Sequence, residues 1–253
     1  MRRHFLVIGA QRCGTTYLHE LLADHPEIAM ARPARPEPKV FLTDEVVERG
    51  VEWYERTWFP HAGSAGLLGE KSTSYLEFPD ATRRMTAVLG RPQIVVQLRD
   101  PIERAVSNWS FSRSHGLEDR SVTDALTRNL DGALPWDPQV TSVSPYAYLE
   151  RGRYADYLAP WLDAFPDLLR VQFLEDLVEG PDRVGELYEW LGVDAGVRPD
   201  SLGQPVNQAE RPEDSLDGGL VDRLRDYFHD SDRTLAGLLG RELPWHDPVG
   251  GTR

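Results

Sequence analysis

The sequence predicts an α/β fold in which a central, mainly parallel sheet is flanked by helices. Three features predict it. Short β-rich runs alternate with longer helical patterns, as strands joined by helical crossovers require. The run Gln93–Leu98 (QIVVQL) holds Ile94, Val95 and Val96 in a row rather than alternating, as in a strand covered on both faces. The first β-rich run, Phe5–Ile8, leads through a glycine-bracketed turn into a helical pattern.

Composition sets the bounds. The 253 residues are 40% hydrophobic and 27% charged, which is enough to bury a core and excludes the disordered and fibrous classes. With no internal repeat and no long linker, a single domain over 1–253 is expected. The apolar runs are too short for a membrane span, and no export signal is read at Met1-Arg2-Arg3-His4. The single cysteine, Cys13, excludes an intrachain disulfide and a cysteine-built zinc site, so a reducing, cytoplasmic setting is expected. The net charge of −13 argues against nucleic acid or a long polyanion as partner. Any anionic ligand must then be held by a local basic site, against the global field.

In chain order, Thr15–Ala23 is the first helix, with Leu18, Leu21 and Leu22 at helical spacing and Asp24-His25-Pro26 as its stop. Residues 31–38 are irregular, because Pro33, Pro36 and Pro38 remove donors and restrict their predecessors. Residues 51–58 read as a helix, and Leu67-Leu68 as a short strand. A helix opens near residue 101, where Pro101 sits in the first turn and its missing N–H costs least. The polar stretch 116–145 contains a helix near 121–130. Tyr146–Phe165 reads as helical, with Gly152 and Pro160 marking an irregular entry and a kink. Leu169–Leu174 is a further strand and 182–191 a helix. Residues 194–217, rich in Gly, Pro and Asp, read as a surface lid. Helices close the chain at 219–228 and 232–239.

Between the first strand and first helix lies Gly9-Ala10-Gln11-Arg12-Cys13-Gly14-Thr15-Thr16. Backbone N–H groups and a helix N-terminus there make an anion cradle. Glycines 9 and 14 have the spacing of the phosphate-binding GxxxxGK[ST] loop. Thr15, however, occupies the lysine position, and the basic residue is Arg12 inside the loop. Arg12 and two hydroxyls suit a shorter 5′ anion, and Arg12 can hold charge developing on a bridging oxygen. The competing reading is a glycine-rich turn capped by Thr15 or Thr16. Cys13, without a histidine partner identifiable from spacing, reads as a small buried loop residue rather than a nucleophile.

A second anion motif runs from Leu98 to Ser107 (LRDPIERAVS). Arg99 leaves the carboxy end of a strand, where open α/β sheets bind ligands, and arginine suits bidentate phosphate contact. Ser107 follows about two helical turns later. The competing reading pairs Arg99 with Asp100 or Glu103. Two anion sites after two strands suit a ligand longer than one phosphate.

Together these pieces resemble the sulfotransferases that use 3′-phosphoadenylyl sulfate (PAPS). Arg12-Cys13-Gly14-Thr15-Thr16-Tyr17-Leu18 resembles their 5′-phosphosulfate loop, and Leu98–Ser107 their 3′-phosphate motif L-R-[DN]-P-x-x-R-x-x-S. His25-Pro26-Glu27-Ile28 and Glu37-Pro38-Lys39-Val40-Phe41 resemble the HP-x-I and E-P-H-F-F segments, and Gly69–Tyr75 the G-E-K-[ST]-P-x-Y segment. Gly152-Arg153-Tyr154, Phe165-Pro166, Glu175-Asp176-Leu177 and Leu239–Trp245 continue the pattern, which is closest to the heparan-sulfate-type branch and its bacterial relatives. The resemblance implies a P-loop-like three-layer sandwich and a PAPS-dependent transferase that needs no metal. It implies Glu37 as general base, Lys71 and Arg12 at the sulfuryl group, the loop Arg12–Thr16 on the 5′ end, and Arg99 and Ser107 on the 3′-phosphate. Glu70 is the rival base, unless it simply pairs with its neighbour Lys71. Arg12 stands for the commoner lysine, Lys39 for the usual histidine and Thr73 for the frequent proline. The carboxy-terminal K-G-R loop of that branch is absent, and Arg211 is the substitute in its place.

The expected partner is a small-molecule acceptor carrying a hydroxyl or an amine, such as a metabolite, glycolipid or secondary product. Two alternatives stay open: a kinase-like phosphotransferase, which needs the missing Walker lysine, and a nucleotide-binding regulator without turnover.

Overall fold

The computed structural model describes residues 2–137, 144–204 and 216–246. It contains β1 (Arg3–Gly9), α1 (Thr15–Ala23), β2 (Ile28–Met30), α2 (Glu45–Trp58), β3 (Leu67–Lys71), α3 (Ala81–Leu89) and β4 (Gln93–Leu98). There follow α4 (Pro101–Ser114), α5 (Val122–Asn129), α6 (Tyr154–Ala164), β5 (Leu169–Phe173), α7 (Leu174–Glu179), α8 (Pro181–Leu191) and α9 (Gly218–Leu239). Two compact units result: Met1–Leu98 with Pro160–Asn207, and Arg99–Ala159 with Gln208–Arg253.

The first unit holds all five strands, in the order β2-β3-β1-β4-β5, every neighbouring pair parallel. The chain fills the sheet on one side of β1 with β3 and then crosses to the other side with β4. The order therefore reverses between β1 and β4, which marks the ligand crevice of an open parallel sheet at the carboxy ends of those strands. Phe5, Val7, Met30, Leu67 and Val95 pack with Leu18, Leu21 and Leu22 of α1 and Leu187 and Leu191 of α8. Gly69 belongs to that face: a Cβ there would stand 2.3 Å from the Phe5 ring and 2.6 Å from the Met30 sulfur. Register puts Glu70 opposite Leu6 and Lys71 opposite Val7. Successive residues of a strand face opposite sides, so Glu70 faces α2 while Lys71 shares the face of α1.

In the second unit Ile102, Ala105 and Trp109 of α4 pack with Ala125 and Leu126 of α5 and Leu220, Leu224 and Phe228 of α9.

Most element readings hold, and the departures have physical causes. The helix read over 51–58 is preceded by a helical stretch from Glu45, and Gly50 (φ 73, ψ 177) leaves helical geometry between them, so α2 is two helical pieces that meet at a kink. β3 runs on through Gly69-Glu70-Lys71, poor strand formers that all pair with β1, Gly69 with β2 as well. The helix read from Tyr146 starts at Tyr154. Side chains hold the backbone before it: Asn108 and Ser112 donate to the carbonyl of Pro145, Arg104 to that of Tyr148, and Asn129 accepts from the amide of Leu149. Carbonyls and amides spent this way are not available to a helix ladder. The two closing helices are one, α9; buried Asp232 mid-helix accepts from the Trp245 indole at 2.9 Å, so it marks no break. Of the expected lid, residues 205–215 lie outside the described residues, and 194–204 are pinned. Glu27 accepts from the amide of Asp194, Asp24 from that of Ser201 and the Tyr17 hydroxyl from that of Gly203, at 2.9, 2.8 and 3.0 Å. Among the described residues no helix is long and apolar enough to cross a membrane.

Candidate active site

The loop Gly9–Thr16 stands in the crevice that the strand order marks. The amide of Ala10 donates to the carbonyl of Gln97 at 2.7 Å, and the fully buried Gln97 side chain donates to the carbonyl of Cys13 at 2.7 Å. β4 thus fixes the loop from its far side. Gly14 caps α1 with φ 74, and a Cβ there would lie 2.7 Å from Leu174 and 3.1 Å from the Gln97 amide nitrogen. Both the dihedral and the space demand glycine. No side chain caps α1, and its first turn carries no acidic residue. The reading of Thr15 or Thr16 as cap is therefore overturned, and the first N–H groups of α1 face the crevice with the positive end of the helix dipole. That suits an anion. Arg12 is held at φ 67, the left-handed region that costs a non-glycine residue energy and marks functional loops. Cys13 is fully buried, as the structural reading of it required. Thr16 accepts from Arg35 at 3.4 Å.

Glu37 lies on the proline-rich segment and is brought to the end of β3. Lys71 Nζ donates to its Oε1 at 2.7 Å; the amide of Thr73 donates to Oε2 at 3.0 Å, and the Thr73 hydroxyl reaches both oxygens at 3.2 and 3.1 Å. Its side chain is 15% exposed and that of Lys71 6%, so this is a partly buried, directed pair and not a solvated loop carboxylate. A proline at position 73 would have neither the N–H nor the hydroxyl that Thr73 gives to Glu37.

Glu70 does not pair with Lys71, from which the strand pleat separates it. It is fully buried and accepts from Tyr54 at 2.7 Å, Ser72 at 2.7 Å and Tyr75 at 2.6 Å. Burial pushes its carboxyl above the usual range, although the hydroxyls from Tyr75, Ser72 and Tyr54 oppose that. Both tyrosine hydroxyls are held well above their ordinary value, by burial first and by the Glu70 charge next. A group so enclosed cannot meet an acceptor, whereas the Glu37 side chain keeps 15% of its surface exposed. His19, on α1 one turn beyond Thr16, is buried, and its Nε2 has no hydrogen-bond partner among the described residues. Burial, and then the charge of Lys71, lower its pKa below the ordinary histidine value.

In the second unit Arg99 pairs with Glu103 at 3.0 Å, one of the two partners in the competing reading. Asp100 instead caps α4, accepting from the amide of Ile102 at 2.9 Å, and holds Arg225 through both oxygens at 3.0 and 2.6 Å. The Tyr154 hydroxyl donates to the carbonyl of Arg99 at 2.8 Å. Ser107 is 8% exposed within α4. Arg104 of the same motif is fully buried and donates to the carbonyls of Ala147 and Tyr148, a role in packing. Arg211 lies outside the described residues. Among the described residues no three His, Cys, Asp or Glu side chains gather as a metal site.

The family model described as "Sulfotransferase domain" matches residues 2–204. The chain belongs to the sulfotransferase family. It is 28% identical over 96% of its length to human heparan sulfate glucosamine 3-O-sulfotransferase 6, spanning 75% of that protein. It is 30% identical over 75% of its length to human bifunctional heparan sulfate N-deacetylase/N-sulfotransferase 3, of which it spans 22%. Among solved structures a sulfotransferase from Alicyclobacillus acidocaldarius superposes with a TM-score of 0.75 at 24% identity, covering 96% of this chain and 98% of that one. A mouse sulfotransferase complexed with PAP gives 0.51 at 17% identity, covering 98% and 86%. These likenesses carry the P-loop-like sulfotransferase fold. The chain is accordingly an enzyme of the sulfotransferase class.

Sequence reasoning missed Thr73, Gln97 and Arg35 as site residues. For Gln97 a signal existed, since an amide inside an otherwise apolar strand must find a partner. For Thr73 the signal was its departure from proline. Arg35 gave none, as an exposed arginine beside a proline is ordinary.

Proposed function

We propose that this sulfotransferase takes its sulfuryl group from PAPS and that Glu37 is the general base on the acceptor. The observation that carries the reading is the meeting of Glu37 with Lys71 and Thr73 at the end of β3, beside a helix whose N-terminus is left uncapped. The Gly9–Thr16 amides, Thr15, Thr16 and Arg12 hold the 5′-phosphosulfate, and Arg99 and Ser107 are assigned to the 3′-phosphate. Glu37 takes the proton as the acceptor oxygen or nitrogen forms its bond to sulfur. The sulfur–oxygen bond to the adenosine 3′,5′-bisphosphate breaks in line. Lys71 and Arg12 neutralise the charge that gathers on the departing oxygen, as fixed donors in a site of low dielectric do. Both Glu37 oxygens are engaged in this structure, so the acceptor hydroxyl replaces the Thr73 hydroxyl contact on arrival.

The acceptor has two readings. The net charge of −13 favours a small hydroxylated molecule over a polyanion. The relatives named for heparan sulfate glucosamine favour an amino-sugar chain instead. Label from [35S]PAPS, offered to phenols, hydroxylated lipids and unsulfated heparan oligosaccharides, decides between them. Donor identity is tested by thermal shift: adenosine 3′,5′-bisphosphate should raise Tm, and ATP with Mg²⁺ should not. Stabilisation by ATP–Mg²⁺ alone would overturn the proposal in favour of a phosphotransferase.

A further inference from the structure

A fully buried carboxylate needs a reason, and Glu70 has three hydroxyl protons aimed at it. Tyr54 donates to Oε2, while Ser72 and Tyr75 both donate to Oε1. Two of those hydroxyls carry a second bond. Ser72 Oγ accepts from the amide of Lys39 at 2.9 Å, and Tyr75 Oη accepts from the amide of Phe41 at 3.2 Å. A hydroxyl has one proton and two lone pairs. Because Glu70 takes the proton, the lone pairs of Ser72 and Tyr75 are turned toward the segment that bears Glu37. Lys39 sits there at φ 52, a left-handed dihedral that persists only where its surroundings over-determine it.

We propose that Glu70 is the positioning residue of the base. Through Ser72 and Tyr75 it fixes the amides of Lys39 and Phe41, and with them the path that delivers Glu37 to Lys71 and Thr73. An apolar residue in its place would fill the space under β3 but leave both hydroxyls free to turn. A glutamine would not: its single amide oxygen accepts from Ser72 and Tyr75 as Oε1 does, and Tyr54 turns a lone pair to its NH2. The role therefore differs from that of a base, which glutamine cannot replace. The inference rests on the assignment of Glu37 as base, and the two are separable by experiment.

Amide hydrogen exchange is measured at Lys39 and Phe41, with Val95 and Val96 of β4 as controls, beside transfer from [35S]PAPS to the acceptor panel. Glu70→Leu should speed exchange at both loop amides by about tenfold, the scale of one net hydrogen bond, and lower turnover without weakening adenosine 3′,5′-bisphosphate binding. Ser72→Ala should release Lys39 alone and Tyr75→Phe should release Phe41 alone, which decides the matter even where Glu70→Leu does not fold. Glu70→Gln should stay within a few-fold of the parent in exchange and turnover. Unchanged exchange in Ser72→Ala and Tyr75→Phe would overturn the proposal. So would a Glu70→Gln enzyme as inactive as Glu37→Gln, since that is the signature of a base. Selective release of the amides together with a fully active Glu37→Gln would uphold the role of Glu70 and overturn the base assignment instead.

Discussion

Helix α1 follows β1 and α4 follows β4, and the two finish their N-termini in opposite ways. α1 starts on Gly14 with no side-chain cap and no acid in its first turn. α4 starts on Asp100, which accepts from the amide of Ile102, with Pro101 next and Glu103 in the first turn. A helix start has a fixed supply of unpaired N–H groups. At α1 no side chain takes one of them; at α4 the Asp100 carboxylate takes that of Ile102, while Glu103 pairs with Arg99. Under the proposed assignment an anion at the first site meets backbone N–H groups as well as Arg12, Thr15 and Thr16, whereas at the second it relies on side chains, and Arg99 must leave Glu103 to reach it.

Substitutions that act on one start and not the other test this contrast. Gly14→Ala should have the largest effect. It imposes a left-handed dihedral on alanine and presses Cβ against Leu174, so stability should fall by about 2 kcal/mol and the rise in Tm with adenosine 3′,5′-bisphosphate should vanish. A tolerated alanine with normal bisphosphate binding would remove the cradle from the account. Next, calorimetry with two ligands separates the sites. Arg99→Ala should weaken the 3′,5′-bisphosphate by about 10- to 100-fold, the scale of charged hydrogen bonds, and leave adenosine 5′-phosphosulfate unaffected. Arg12→Ala should weaken both.

Asp100→Ala removes the α4 cap and frees Arg225. It should cost about 1–2 kcal/mol in a denaturant titration with little change in donor affinity; a large loss of affinity would show that the two helix starts work alike. The smallest effect concerns pH. Burial, Lys71 and Arg35 depress the folded pKa of His19, opposed by Glu20. The unfolded chain therefore binds more protons below about 6.5, and stability should rise with pH through that window and be lost as pH falls below it. His19→Gln should flatten this acid-side slope, and an unchanged slope would contradict the buried, neutral imidazole.

The alternation of strands and helices, the loop between β1 and α1 and the motif after β4 were legible because each rests on local chemistry: apolar runs, glycine spacing, a proline in the first turn. What was not legible depends on pairing between distant segments. Nothing local distinguishes Glu70 from Glu37 as a base; the difference arises from the pleat of β3, which turns Glu70 under the sheet toward Tyr54 and Lys71 to the opposite face. In the same way the helix expected from Tyr146 is prevented by Arg104, Asn108 and Asn129, residues 17 or more positions away in sequence whose side chains take its backbone groups. Thr73 could be seen to break the family pattern, but only the fold shows that its N–H and hydroxyl land on Glu37.

Label transfer from [35S]PAPS by the parent enzyme and by Glu37→Gln tests whether a carboxylate base works on a sulfuryl donor. With the acceptor that the panel identifies, transfer should fall by about 10²- to 10⁴-fold in Glu37→Gln, while adenosine 3′,5′-bisphosphate still raises Tm. Full transfer by Glu37→Gln would contradict the account, and the base would have to be sought elsewhere.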